Sequence, residues 1–556
     1  MTAASSGIGM ADRKRLGSAT VQPAKVCQSS RRLTAIAAVI VFTAAMALAG
    51  CARGAGRTVA GSPVPTGDPS FVHVAQGILR GNVAIDHRLF AGIPYAAPPV
   101  GPLRFARAVP APDWSGVRDA SRFGPRCVQD PSADPERGRN TSEDCLSLNV
   151  WTPPVSGERR PVMVWIHGGA FVNGNSGVYD ARWLVARGDI VVVTINYRLG
   201  TLGFLAHPAL GPAGDIGNYG LTDQQAALQW VHDNISQFGG DPDQVTIAGE
   251  SAGGMSVCDH LVAPGSAGLF RAAILMSAPC QAQADLATAQ RRSLDYAAAV
   301  GCPDPATAAV CLRSLPVDRL RKPVWYYNIG SDELTGPITG TKVLPVAPLA
   351  AFAAGQAARV PVLIGTTRDE FTLFVALRYL LQGERFTPDD YPRLLAETFG
   401  ADADKVAAQY PASRYGGVAQ AYSATVTDSD FACVADRMAG ALPGPVYVYE
   451  FNDRDAPAPE PLRTLPFPVG ASHSLELRYL FDIGGAPPLN PAQQKLSDAM
   501  VDDWSRFVST GSPGWPASVG TPSPAVRMSL QADGSHMADG FAQEHQCSFW
   551  AGLKGR

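Results

Sequence analysis

The chain has 556 residues, 46% of them hydrophobic and 17% charged, and a formal net charge of -3. That balance describes an ordinary globular protein and excludes a basic face for nucleic acid, and neither end carries an acidic or basic tail. Length alone does not set the number of domains, because α/β folds with insertions reach this size around one core.

In chain order, residues 31 to 51 read RRLTAIAAVIVFTAAMALAGC: two arginines, an apolar run too short and too rich in small residues for a membrane span, and then Leu48-Ala49-Gly50-Cys51. The ending resembles a bacterial lipobox, which implies that Cys51 is acylated and carries a membrane anchor. The alternative is an ordinary cleaved signal peptide, and both readings export the protein. Arg31-Arg32 also suggests a twin-arginine signal, which the following Leu33-Thr34-Ala35 fits poorly. Residues 1–51 are thus expected to be leader and lipoprotein-type signal. Residues 52–69, rich in Gly, Pro, Ser and Thr, are expected to be a flexible tether, and 70–556 the folded domain, which begins near Phe71.

From there, short β-branched runs alternate with longer amphipathic stretches, the pattern of a mostly parallel sheet covered by helices on both faces. The strand candidates are Val162–Trp165, Ile190–Asn196, Val245–Ala248, Ala272–Met276, Val360–Gly365 and Val446–Phe451. Leu221–Phe238 reads as a helix that starts near Thr222-Asp223 and carries Ala226, Ala227, Trp230 and Val231 at helical spacing. No internal repeat is present.

Two motifs carry chemistry. His167-Gly168-Gly169-Ala170-Phe171 follows the strand ending at Ile166 and resembles the oxyanion loop of esterases and lipases. Small residues there let backbone amides approach the negative oxygen that forms when an ester carbonyl is attacked. Further on, Gly249-Glu250-Ser251-Ala252-Gly253 sits between a strand and a helical run. Glycines two residues either side of the serine allow a sharp strand-to-helix turn that exposes its hydroxyl, and the helix start supplies amides and a positive dipole end. The oxyanion donors are assigned as the amides of Gly169, Ala170 and Ala252, and His167 as a brace for the loop.

These motifs, together with Glu143-Asp144-Cys145-Leu146-Ser147-Leu148-Asn149, closely resemble the type-B carboxylesterase family, from about Gly77 through His545-Gln546-Cys547-Ser548-Phe549-Trp550. The resemblance implies an α/β-hydrolase fold with large insertions and a serine nucleophile. It also implies where the partners of Ser251 lie. The family acid matches Glu370 in Gly365-Thr366-Thr367-Arg368-Asp369-Glu370, with Asp369 as local competitor and Phe371 where the family usually has glycine. The family histidine matches His473 in Gly470-Ala471-Ser472-His473. A serine hydroxyl is a weak nucleophile at neutral pH, so an imidazole must take its proton, and a carboxylate must fix the tautomer and stabilise the imidazolium. Glu250 belongs to the elbow and is not placed in the triad.

Ten cysteines divide into Cys27 in the leader, Cys51 as the lipidated residue, and eight in the exported domain. The resemblance implies the bridges Cys127–Cys145, Cys302–Cys311 and Cys433–Cys547. Cys258 and Cys280 are left over by subtraction, as a fourth bridge or as buried free thiols. No spacing suggests a zinc site, and neither metal nor cofactor is expected.

The cholinesterase branch keeps a choline-binding tryptophan shortly before the EDCL cysteine. Here that stretch is Asp134-Pro135-Glu136-Arg137-Gly138, with no aromatic to face a quaternary ammonium. The expected substrate is an uncharged small-molecule ester with a short or medium acyl chain, and the membrane is met only through the lipid anchor. A lipase or acyltransferase using the same triad, and a non-catalytic adhesion-type relative, are the alternatives.

Overall fold

A computed structural model describes residues 67–131, 140–518 and 526–553. Cys51, the leader and the tether up to residue 66 lie outside the described residues, as does the stretch from Asp134 to Gly138. At the start of the described chain, Asp68 caps a turn by accepting the Ser70 amide at 2.9 Å, and the first strand begins at Phe71.

Among the described residues the main sheet has eleven strands: β1 Asn82–Val83, β2 Arg88–Pro94, β3 Ser147–Thr152, β4 Arg160–Ile166, β5 Val191–Ile195, β6 Gly240–Glu250, β7 Ala272–Met276, β8 Val362–Thr367, β9 Val446–Phe451, β10 Val526–Leu530 and β11 His536–Asp539. Their spatial order is β11-β10-β9-β8-β7-β6-β4-β5-β3-β2-β1. The run from β5 to β10 is parallel, and antiparallel strands close both edges. All six strands read from β-branched runs are present, with ends moved by a few residues. The strands toward the two edges escaped that reading because they hold few β-branched residues, as in Arg88–Pro94 and His536–Asp539.

Strand residues alternate between two buried faces. Val162, Val164 and Ile166 pack into one apolar cluster with Val191, Val193 and Ile195, whereas Met163, Trp165 and Val192 pack into the other. The chain moves from β4 outward to β5, then returns to place β6 on the other side of β4. This reversal opens a crevice at the carboxyl ends of β4 and β6, where a doubly wound sheet binds ligands. No helix of the described residues is long and apolar enough to cross a membrane.

The helix expected from Leu221 is α1, Tyr219–Asn234, continued by a 3-10 turn over Ile235–Phe238. It starts three residues before Thr222, after Asn218 in left-handed backbone at φ 53°. Thr222 and Asp223 do not cap it. The Thr222 hydroxyl donates to Tyr219 O at 2.8 Å, and the buried Asp223 carboxylate accepts from Arg198 at 2.7 and 2.8 Å. A buried ion pair has claimed a residue that local propensity would spend on a cap.

The EDCLSLN segment is architectural. Glu143 accepts a two-pronged pair of bonds from Arg104 at 2.6 Å each. The Asn149 amide group ties β3 to its surroundings by donating to Ser176 Oγ at 3.0 Å and Thr194 Oγ1 at 2.9 Å. Four disulfides join Cys127–Cys145, Cys258–Cys280, Cys302–Cys311 and Cys433–Cys547. The pair that subtraction left open is therefore bonded, and both of its sulfurs are buried in the core.

Candidate active site

Strand β6 ends at Glu250, and helix α2, Ala252–His260, begins two residues later. Ser251 between them has φ 56° and ψ -123°, a conformation that non-glycine residues avoid. Only small neighbours permit this turn. A Cβ on Gly253 would fall 2.0 Å from Ile166 O, and one on Gly249 would fall 2.4 Å from the Gly253 carbonyl carbon. The strain is held by Ser251 N donating to Met276 O at 2.9 Å and by Met255 N donating to Ser251 O at 2.8 Å.

The loop after β4 lies against this turn. A Cβ on Gly168 would sit 3.1 Å from the Ser251 Cβ. Gly169, Ala170 and Phe171 follow with φ 107°, 54° and 58°, a run that turns successive amides toward one side. The loop closes on itself where Val172 N and Asn173 N both donate to Gly169 O at 3.0 Å. His167 supports it from beneath: the ring stacks on Tyr197 at 4.5 Å between centroids, and Nδ1 lies 2.8 Å from Gly168 O. Burial pulls the His167 imidazole down to about 4, so it is neutral at ordinary pH.

Glu370 sits just beyond β8, fully buried. Its Oε1 accepts the Thr367 amide at 2.8 Å, and its Oε2 lies 2.6 Å from His473 Nδ1. Asp369 faces away from the imidazole. It binds the Arg454 guanidinium through both oxygens at 2.7 and 2.9 Å and accepts the Ala471 amide at 3.0 Å, which ties down the loop that carries His473.

His473 is buried between aromatic rings, with Phe374 at 5.2 Å and Phe431 at 5.5 Å. Its Nε2 lies 3.1 Å from Glu250 Oε1, outside hydrogen-bonding geometry, and among the described residues it has no hydrogen-bond partner. Glu250 Oε1 accepts the Ser474 hydroxyl at 2.6 Å instead. Burial opposes charge on His473, but Glu250 and Glu370 more than offset it and raise the imidazole to about 9. Sequence reasoning missed a third carboxyl here. Glu476 is wholly buried, neither of its oxygens has a hydrogen-bond partner among the described residues, and burial together with Glu250 and Glu370 pushes its carboxyl well above the usual range.

Two recesses are lined by residues of the site. One is lined by Ser251, Ala170 and Ala252 and walled by Phe371, Phe374 and Phe431. Phe371, which stands where glycine was expected, stacks on Phe374 at 4.9 Å and forms part of that wall. The other opens on the side of His473, Glu250, Gly168 and Gly169. Among the described residues no cluster of side chains could hold a metal ion.

The Carboxylesterase family model matches residues 68–550. The chain is 35% identical over 478 residues to a fumonisin B1 esterase of Sphingopyxis macrogoltabida, covering 81% of this chain and 83% of that protein. It is 35% identical over 470 residues to the para-nitrobenzyl esterase of Bacillus subtilis, covering 80% and 92%. It is 34% identical over 511 residues to a medium-chain fatty acyl-CoA hydrolase precursor of Anas platyrhynchos, covering 84% and 88%. The chain therefore belongs to the carboxylesterase family, with its α/β-hydrolase fold, and is a carboxylic ester hydrolase.

Proposed function

We propose that this protein is an exported serine carboxylesterase in which Ser251 is the nucleophile, His473 the general base and Glu370 the carboxylate that orients the imidazole. The carrying observation is the convergence of a strained serine at a helix start, an amide-presenting loop against it, and an imidazole gripped by a buried glutamate. Ser251 Oγ attacks the ester carbonyl as His473 Nε2 takes its proton, and the carbonyl electrons move to an oxyanion held by the amides of Gly169, Ala170 and Ala252. Collapse expels the alcohol with the proton from His473. Water then repeats the sequence on the acyl-enzyme and releases the acid. His473 Nε2 has no hydrogen-bond partner among the described residues, so its bond to Ser251 Oγ forms as substrate binds, a tightening that commonly accompanies binding.

The proton relay assigns the recesses. The alcohol must leave where His473 can protonate it, so it occupies the recess lined by His473, and the acyl chain occupies the aromatic recess beside Ser251 and Ala252. A largely aromatic acyl site favours uncharged short- and medium-chain acyl groups. A series of p-nitrophenyl esters from acetate to palmitate tests this. The reading expects kcat/KM to peak at short or medium chains without a rate jump above substrate solubility, and such a jump would instead identify a lipase.

Export rests on the signal-like residues 31–51, and four disulfides are consistent with an oxidising compartment. The proposed division is a leader over 1–51, a tether over 52–69 and the hydrolase domain over 70–556, with lipid on Cys51. Cys51→Ala should abolish incorporation of labelled fatty acid in a bacterial host that processes lipoproteins, and undiminished labelling would refute the anchor.

A further inference from the structure

Resting on that reading of the site, we propose that Asp332 makes the acyl recess selective for acyl chains that end in a hydrogen-bond donor, specifically ω-hydroxyacyl esters. Among the described residues lining this recess, Asp332 alone carries a charge. The other polar groups there are already committed. Ser251 is the nucleophile, and the Tyr327 hydroxyl donates to Thr335 O at 3.0 Å.

Asp332 is held in place from its far side. It follows the two-residue turn of a hairpin in which Ile329 pairs with Asp332, and Gly330 in that turn has φ 59°. Its Oδ1 accepts from Arg378 Nε at 3.0 Å. Arg378 is itself fixed by a hydrogen bond to Ser331 Oγ, by the Tyr422 ring at 5.7 Å from its guanidinium carbon, and by Glu384 at 3.6 Å. Glu384 is in turn paired with Arg393 at 2.9 Å. The network thus leaves Asp332 pre-positioned beside a counter-charge, with burial and Glu384 raising its carboxyl above the usual range despite Arg378, while Oδ2 has no hydrogen-bond partner among the described residues and the side chain stays 27% exposed.

An aliphatic chain end placed against that oxygen strips water from it and returns nothing. A terminal hydroxyl donates to it and restores the lost bond. A terminal carboxylate is repelled. Sites with an unpaired polar group discriminate strongly against isosteres that lack the complementary one.

The test uses the purified full chain with p-nitrophenyl 6-hydroxyhexanoate, 6-methoxyhexanoate and hexanoate, and the matching octanoate set. In the wild type, kcat/KM for the hydroxy ester should exceed that for the methoxy ester, which only accepts, by about tenfold at one of the two lengths. Asp332→Asn keeps an oxygen for Arg378 and puts an N–H donor in place of the unpaired oxygen, so the hydroxy-to-methoxy ratio should fall to about one or below. A wild-type ratio at or below one at both lengths, with the esters otherwise turned over, overturns the proposal and leaves the esterase reading intact, even if the variant does not fold. Failure of folded wild type to cleave any ester overturns both.

Discussion

Glu250 Oε1 lies 3.1 Å from His473 Nε2 while accepting the Ser474 hydroxyl at 2.6 Å, so the residue directly before the nucleophile holds a carboxyl group against the imidazole nitrogen that must receive the serine proton. Burial disfavours the imidazolium, and Glu250 with Glu370 more than reverses that, raising His473 to about 9. Because a general base must be neutral, the acidic limb of kcat/KM against pH reports this group. Glu250→Gln removes one of the two stabilising charges and keeps an acceptor for Ser474. The limb should then move to lower pH by about one unit. A limb that stays in place or moves to higher pH would show that Glu250 does not act on His473.

The two adjacent carboxylates, Asp369 and Glu370, have separate tasks. Glu370→Gln removes the charge 2.6 Å from His473 Nδ1 and disturbs tautomer control, and kcat should drop by roughly 10³ to 10⁴ with KM little changed. Asp369→Asn loosens an exposed ion pair with Arg454 and keeps an acceptor for the Ala471 amide of the His473 loop, and most activity should survive. Steady-state kinetics on the two variants decides the matter, and the reverse ranking would make Asp369 the triad acid.

Away from the site, His545 lies between Asp428 Oδ1 at 2.5 Å and Glu450 Oε1 at 2.7 Å, with Tyr410 donating to Asp428 at 2.7 Å and Arg368 at 3.5 Å from Glu450. Burial opposes its charge, but Asp428 and Glu450 raise it to about 10, against an ordinary 6.5. Its stabilisation is therefore complete below pH 6.5 and is lost as pH rises through about 10. Glu450, which His545 holds down at about 2 against burial, contributes above 4.5 and loses that contribution as pH falls toward 2. His545→Gln leaves both carboxylates short of a counter-charge and should cost about 3 to 5 kcal/mol at neutral pH. Urea denaturation across pH measures this, and a variant as stable as wild type at pH 7 would contradict it.

The bridge between Cys433 and Cys547 closes a loop of 114 residues, against 9 for Cys302–Cys311. In the chain-entropy account a loop of that length is worth about 4.7 kcal/mol, more than any shorter bridge here. Paired Cys→Ala variants should lower Tm most for Cys433 with Cys547. If the short bridge proves the more costly loss, chain entropy is not the governing effect.

What could be read from the residues was mostly local. The glycines around Ser251 announce a turn because only they fit against Ile166 O and the helix backbone, and β-branched runs announce the parallel strands. The walls of the site were not legible, since Phe374, Phe431 and Asp332 come from separate segments that look like ordinary helix and hairpin sequence. Glu476 reads as one polar residue in a helical start, and its burial beside Glu250 and Glu370 appears only in three dimensions. Asp223 shows the converse, a good capping residue drawn into a helix interior by Arg198. The bond between Cys258 and Cys280 depended on the meeting of α2 with the segment after β7, which no spacing reveals.

The central claim is that Ser251 alone forms the acyl-enzyme. Wild-type protein incubated with an organophosphonate ester and digested should carry the adduct on the peptide containing Ser251, with loss of esterase activity in step. Ser251→Ala should take up no label and lose turnover by on the order of 10³ or more, the remainder resting on the oxyanion loop and binding. Label on a different serine, or near-wild-type hydrolysis by a folded Ser251→Ala, would contradict the account.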